Sequence, residues 1–217
     1  MAVFGDEPQV KHHDRGNRGG AEPCHVWMSY FATVAIAELD KDGTEEIIAG
    51  GSGDSSGGTN TYRQWLLTIR NTDGTRFDEK VYQHFDTGGR TTILTDLAVA
   101  HVDSDGTQEI VATGYSTGTG SNRTWLRIVT WDGKKTTVDT EYSGSFDIGS
   151  ENYLARVAVG NADGEAHKEI VLAGYAKTGT NRDWHVRVLR WYGTDMHRKW
   201  QTTREASPTT ARSRTWR

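Results

Sequence analysis

A nine-residue acidic segment occurs three times in this chain, each time between two apolar runs, and no other feature constrains the fold as tightly. The first copy is Glu38-Leu39-Asp40-Lys41-Asp42-Gly43-Thr44-Glu45-Glu46, set between Thr33-Val34-Ala35-Ile36-Ala37 and Ile47-Ile48-Ala49-Gly50. The second runs from His101 to Glu109 with Asp103, Asp105 and Gly106, entered from Leu97-Ala98-Val99-Ala100 and left through Ile110-Val111-Ala112. The third runs from Asn161 to Glu169 with Asp163 and Glu165, between Val157-Ala158-Val159-Gly160 and Ile170-Val171-Leu172-Ala173. The closing acids stand 63 residues (46 to 109) and 60 residues (109 to 169) apart. Self-similarity at a fixed period signals a repeat architecture.

Oxygen-bearing side chains recur at loop positions 3, 5 and 9, and Glu38 and Asn161 add one at position 1. Calcium takes roughly six to eight oxygen ligands from carboxylates, carbonyls and water. A tight loop turns alternate carboxylates inward, offers the carbonyl of position 7 (Thr44, Thr107, His167) and closes on the acid at position 9 (Glu46, Glu109, Glu169). Glycine at position 6 suits a backbone turn that other residues enter at a cost. An EF-hand would need an acid at position 12 and flanking helices; Ala49, Ala112 and Leu172 stand there, so that motif is excluded. The competing reading is an Asp/Gly turn without metal, since both residues favour turns for conformational reasons alone. The first loop is richest in acid, while the third has Ala166 in place of glycine, so calcium occupancy is expected to fall from first to third.

After each loop come a short apolar strand and a glycine-rich stretch: Gly50 to Thr61, Gly114 to Asn122, Gly174 to Asn181. An Arg-x-Trp then opens another strand, at Arg63-Gln64-Trp65, Arg123-Thr124-Trp125 and Arg182-Asp183-Trp184. Phe85-Asp86-Thr87-Gly88 and Phe146-Asp147-Ile148-Gly149 close the first two units, and Met196 to Trp200 begins a fourth strand in the third without that closure. Over roughly residues 29 to 200 the unit resembles the FG-GAP, integrin-α-like or VCBS-type repeat of β-propellers, whose hallmark is an Asp-x-Asp-x-Asp-Gly-x-x-Asp/Glu loop. The resemblance implies an all-β fold of three four-stranded antiparallel blades, a partial or open propeller, with calcium in the loops and an adhesive or ligand-presenting role outside the cytoplasm. It departs from the pattern at position 1, which is never Asp, and at Ala166. The expected division is a polar arm (1–25), three blades (26–90, 91–150, 151–204, the last incompletely closed) and a disordered basic tail (205–217).

Twenty-five glycines, three prolines and regular turn signals fit an all-β chain. A net charge of −4 argues against nucleic acid as a partner, and no stretch has the length of a membrane-spanning helix. Cys24 stands alone, which excludes an internal disulfide. Met1 to Glu7 has neither a basic start nor an apolar core, so no secretory signal is expected there. His12-His13 is read as part of the solvated arm, with transition-metal binding as the competing reading.

Trp65, Trp125 and Trp184 begin period-two faces with Leu67 and Ile69, Arg127 and Val129, and Val186 and Val188. They are expected to pack between blades, the alternative being sugar stacking. Tyr115 and Tyr175, just before glycine-rich loops, are the candidate ligand-binding residues for a glycan or protein. No Gly-x-Ser-x-Gly or His-Glu-x-x-His is present, so a non-catalytic recognition module is expected. An accessory domain of a polysaccharide-degrading enzyme, or a purely structural assembly unit, are the alternatives. Propellers close with about four to eight blades; three therefore imply a piece of a larger propeller, self-association through the end blades, or a fourth blade improvised from arm and tail.

Overall fold

Short apolar runs separated by acidic or glycine-rich turns leave the chain little choice but strands. The computed structural model of the chain describes residues 25–56, 63–72, 76–82, 91–118, 122–144, 151–165 and 167–204, and these contain twelve β-strands and no helix. They are β1 (His25–Ala37), β2 (Glu46–Ser56), β3 (Arg63–Asn71), β4 (Arg76–Tyr82), β5 (Thr91–Ala100), β6 (Glu109–Thr117), β7 (Arg123–Trp131), β8 (Thr136–Gly144), β9 (Glu151–Gly160), β10 (Glu169–Thr178), β11 (Asn181–Trp191) and β12 (Met196–Arg204). Each successive four form their own antiparallel sheet, neighbours in sequence being neighbours in space. The expected all-β architecture of four-stranded units is therefore present. No described helix is long and apolar enough to cross a membrane.

One detail differs from the sequence reading. The fourth strand of the first two sheets lies ahead of the Phe-Asp-x-Gly segments, β4 ending at Tyr82 and β8 at Gly144. Those segments, residues 1–24 with His12-His13, and residues 205–217 lie outside the described residues. The fourth strand expected from Met196 in the third unit is present: β12 pairs with β11 from Trp191↔Met196 to Trp184↔Arg204. Pairing with the preceding strand, not the missing closure motif, completes the sheet.

The acid at loop position 9 opens the second strand of every sheet, paired to the last residue of the first: Glu46↔Ala37, Glu109↔Ala100, Glu169↔Gly160. The first strands share a one-residue irregularity, at Ala32, Thr95 and Ala155. A bulge of this kind bends the strand and re-aims nearby side chains.

The sheets pack face on face. Trp65, Leu67 and Ile69 of the first sheet meet Leu94, Leu97, Ile110, Trp125 and Trp131 of the second. On the second sheet's other face, Val111, Leu126 and Ile128 meet Leu154, Val157, Ile170 and Trp191 of the third. Register explains which side chain goes where. Leu97 and Val157 lie one sheet apart at equivalent positions, paired to Ala112 and Leu172, and each packs on the preceding sheet. Their first-sheet equivalent, Val34, paired to Ala49, is 66% exposed.

The tryptophans divide. Trp65 and Trp125 are buried in the junction between the first two sheets, as a packing role requires. Trp184 is 56% exposed. It pairs with Tyr175 as Trp65 pairs with Ser52, and that position faces the following sheet.

Candidate functional site

The acidic loops join the first and second strands of each sheet. In the first, Glu38, Asp40 and Asp42 each place a carboxylate oxygen within 4.8 Å of the others; in the second, Asp103, Asp105 and Glu109 do the same. Local hydrogen bonds hold the loops in shape. Asp42 N–H donates to Asp40 Oδ1 (3.2 Å), Thr44 N–H to Asp42 Oδ1 (2.8 Å), Asp105 N–H to Asp103 Oδ1 (2.9 Å) and Thr107 N–H to Asp105 Oδ1 (2.7 Å). Gly43 and Gly106 take positive φ of 89° and 81°, the turn that position 6 demands.

The closing acids sit deeper. Glu46 and Glu109 are buried, each accepting a backbone N–H across the loop, from Leu39 and Val102 at 2.8 Å. Burial pushes both carboxyls above their ordinary range, and the neighbouring acids push the same way. Asp42 and Asp105 are held below theirs, first by the hydroxyls of Thr44 and Thr107 and then by the same residues' N–H groups. Glu38 Oε1 is buried without a hydrogen-bond partner. An unpartnered carboxylate oxygen is costly to bury, and here it borders two other carboxylates. This hard, all-oxygen donor set fits a calcium-like cation.

Three details of the loops bear on the expected ligand sets. Position 7 contributes differently: the Thr107 carbonyl lies 2.5 Å from His101 Nδ1, so the imidazole at position 1 takes the oxygen expected to face the cation. In the first loop Glu38, Asp40 and Asp42 form the cluster, while Glu46 accepts the Leu39 N–H as Glu109 accepts that of Val102. The third loop differs most. Asn161 Nδ2 donates to the Glu165 carbonyl, while Asn161 Oδ1 accepts from Gly164 N–H. Positive φ falls on Gly164 at position 4. Asp163, Glu165 and Glu169 all bond to the guanidinium of Arg190. His167 is exposed and packs its ring near Tyr192.

Loops one and two are each approached from the next sheet. A Cβ built on Gly133, in the β7–β8 turn, would stand 2.6 Å from Asp40 Oδ2; one on Gly193, in the β11–β12 turn, 3.5 Å from Asp103 Oδ2.

A second feature lies at the opposite ends of the strands. Tyr115 of β6 and Tyr175 of β10, from different sheets, line one cleft of about 380 Å³, together with Tyr153, Arg156 and the bulge residues Ala32, Thr95 and Ala155. Tyr153 links the pair, edge-on to Tyr115 at 4.9 Å and stacked on Tyr175 at 4.7 Å. Its hydroxyl donates to Glu151 at 2.7 Å, and burial, then that carboxylate, push it up to about 12. The Arg182 guanidinium lies 5.3 Å from the Tyr175 ring centre. Asp96 and Thr95 tie the cleft's three first strands together. Asp96 accepts from the Thr33 hydroxyl and the Val157 N–H, both at 3.1 Å, and Thr95 donates to the Leu154 carbonyl at 3.0 Å. Six residues separate Tyr115 from Glu109, so cleft and acidic loop stand about 20 Å apart along the strand.

Sequence reasoning brought Tyr115 and Tyr175 forward but missed Tyr153, Arg156 and Arg190. Tyr153 is directly opposite Tyr175 in register, a cross-strand relation that only the paired acidic loops could have revealed. Arg190 carries no motif; its position opposite Glu169 is the signal.

No protein-family model matches this sequence, and no curated protein does. Among solved structures, rhamnogalacturonan lyase PL11 of Bacillus licheniformis superposes with a TM-score of 0.50 at 17% identity, over 82% of this chain and 35% of that one. The exotype rhamnogalacturonan lyase YesX gives 0.50 and 17%, over 81% of this chain and 33% of that one. At such identity the likeness is one of fold, and this chain spans about a third of the length of either lyase.

Proposed function

We propose that the chain is a set of three β-propeller blades of the FG-GAP type that recognises a glycan without transforming it. Calcium in the first two acidic loops would fix the blade corners. The observation that carries this reading is the cleft in which Tyr115 and Tyr175, brought from different sheets, are joined by Tyr153. Aromatic faces beside exposed guanidiniums suit a saccharide with apolar ring faces and acidic substituents. Asp40, Asp42 and Glu38 would hold one ion, Asp103, Asp105 and Glu109 the other. Calcium there would supply structural charge neutralisation, far from the cleft.

The fold likeness to rhamnogalacturonan lyases makes rhamnogalacturonan the first ligand to test. It also supports a second reading, in which the chain is the accessory part of a polysaccharide-degrading enzyme. Calorimetric titration with rhamnogalacturonan oligosaccharides is expected to show binding that Tyr115→Ala or Tyr175→Ala weakens about tenfold. Absence of glycan binding, with every partner interaction intact in both variants, would sink the recognition reading; release of unsaturated products would favour the enzymatic one. Calcium is expected to raise the melting temperature over EDTA, because a ligand that binds only the folded state stabilises it. An unchanged melt would leave the loops as turns.

A further inference from the structure

We infer that Arg190 is the resident cation of the third acidic loop, taking the place that a divalent ion takes in the other two. The inference deepens the calcium reading above and rests on it for the first two loops.

Position identifies the substitution. Glu46 pairs with Asn71; Ile110 with Val129, which sets Thr130 opposite Glu109; Ile170 with Leu189, which sets Arg190 opposite Glu169. The residue facing the closing acid is thus neutral in the first two sheets and a guanidinium in the third. Thr130 turns its hydroxyl to Asp139 (3.2 Å). Arg190 turns inward. Its side chain is 3% exposed; Nε donates to Glu169 Oε1 at 2.9 Å, Nη2 to Asp163 Oδ2 at 2.8 Å and to Glu169 Oε1, and Nη1 to Glu165 Oε2 at 2.5 Å.

The acids it binds stand at loop positions 3, 5 and 9, the same three positions that converge in the second loop as Asp103, Asp105 and Glu109. A planar guanidinium with five donors can bridge several carboxylates and never loses its charge. It is delivered by the fold itself, so no ion need be recruited. The bonds to Glu165 and Glu169 hold it still more firmly protonated. An ion entering this loop would have to displace a buried, fully charged side chain. The third loop therefore folds without calcium, for a reason distinct from its missing position-6 glycine.

Calcium stoichiometry by calorimetric titration, paired with melts in EDTA and in calcium, tests this. Wild type is expected to bind two ions per chain, Asp103→Asn one, and Arg190→Thr, which copies Thr130, three. Asp163→Asn should still bind two, with its melting temperature lowered equally in both buffers because an ion pair has been lost. Three ions in wild type falling to two in Asp163→Asn would overturn the inference, as would two in a folded Arg190→Thr. Should Arg190→Thr fail to fold, Asp163→Asn decides: a stability loss confined to calcium, or none at all, refutes it. If wild type binds no ion, the calcium reading fails separately; Arg190→Thr binding one would then uphold the role of Arg190, and binding none would end it.

Discussion

Glu109 shows how one residue serves two states of the protein. Burial, helped by the charges of Asp103 and Asp105 and opposed by the donated Val102 N–H, makes its carboxyl keep its proton more tightly in the folded chain than in the unfolded one. Above the ordinary glutamate value of 4.5 the folded state then holds the extra proton, and stability falls as pH rises through that window. Glu46 acts in the same direction. Asp42 and Asp105, held low by their threonines, contribute stability that is lost only as pH drops below 3.8. Melts in EDTA from about pH 4 to about pH 7 are expected to show a declining melting temperature, and Glu109→Gln should flatten the decline. Calcium should invert it, since the ion binds the deprotonated form and its affinity rises with pH. A slope unchanged by Glu109→Gln would remove this carboxyl from the account. The acids were legible in the sequence because alternate carboxylates around a turn residue form a pattern. Arg190 was not: one basic residue in a strand has no pattern, and only register across two strands reveals what it faces.

At the scale of the element, legibility depended on period. The acidic loops mark where first and second strands meet, and the observed pairings Ala37↔Glu46, Ala100↔Glu109 and Gly160↔Glu169 follow from them. The tryptophans misled because Arg-x-Trp looks like a fixed register mark. Trp65 pairs with Ser52 whereas Trp125 pairs with Gly114, one place along in the repeat, so the two rings point to opposite faces and meet in the same junction. Gly114 is what lets them meet. A Cβ there would stand 1.9 Å from the Ile93 carbonyl oxygen and 2.7 Å from the Trp65 ring. Gly114→Ala is therefore expected to cost at least as much as Trp65→Ala, for which loss of a buried aromatic implies about 3 to 5 kcal/mol. Urea melts of the two variants check this. Near-wild-type stability in Gly114→Ala would show that the junction repacks.

For the whole molecule, the repeat makes the two outer faces unlike each other. Val34 and Ile36 on β1, 66% and 62% exposed, occupy positions whose equivalents Leu97 and Val99 pack against the preceding sheet. Trp184 on β11 occupies the position from which Trp65 packs against the following one. Each face thus has inside the chain an example of what covers it, and a second copy added head to tail would repeat that junction. Light scattering over a concentration series is expected to show association, weakened by Val34→Glu and by Trp184→Glu alike; a monomer throughout would rule out the head-to-tail contact. Three units and their open end faces were expected from the sequence, but which side chains stand on those faces was not legible, since exposure is a property of the stack.

The contacts of Asp40 with the Gly133 turn and of Asp103 with the Gly193 turn place each acidic cluster on a seam between neighbours, outside the sheet that supplies its carboxylates. A cation bound there would act as mortar between courses. Stripping it would leave every sheet's own ladder of backbone hydrogen bonds whole while the courses slide, and the cleft lined by Tyr115 and Tyr175, whose walls come from different courses, would lose its shape well before any strand came apart.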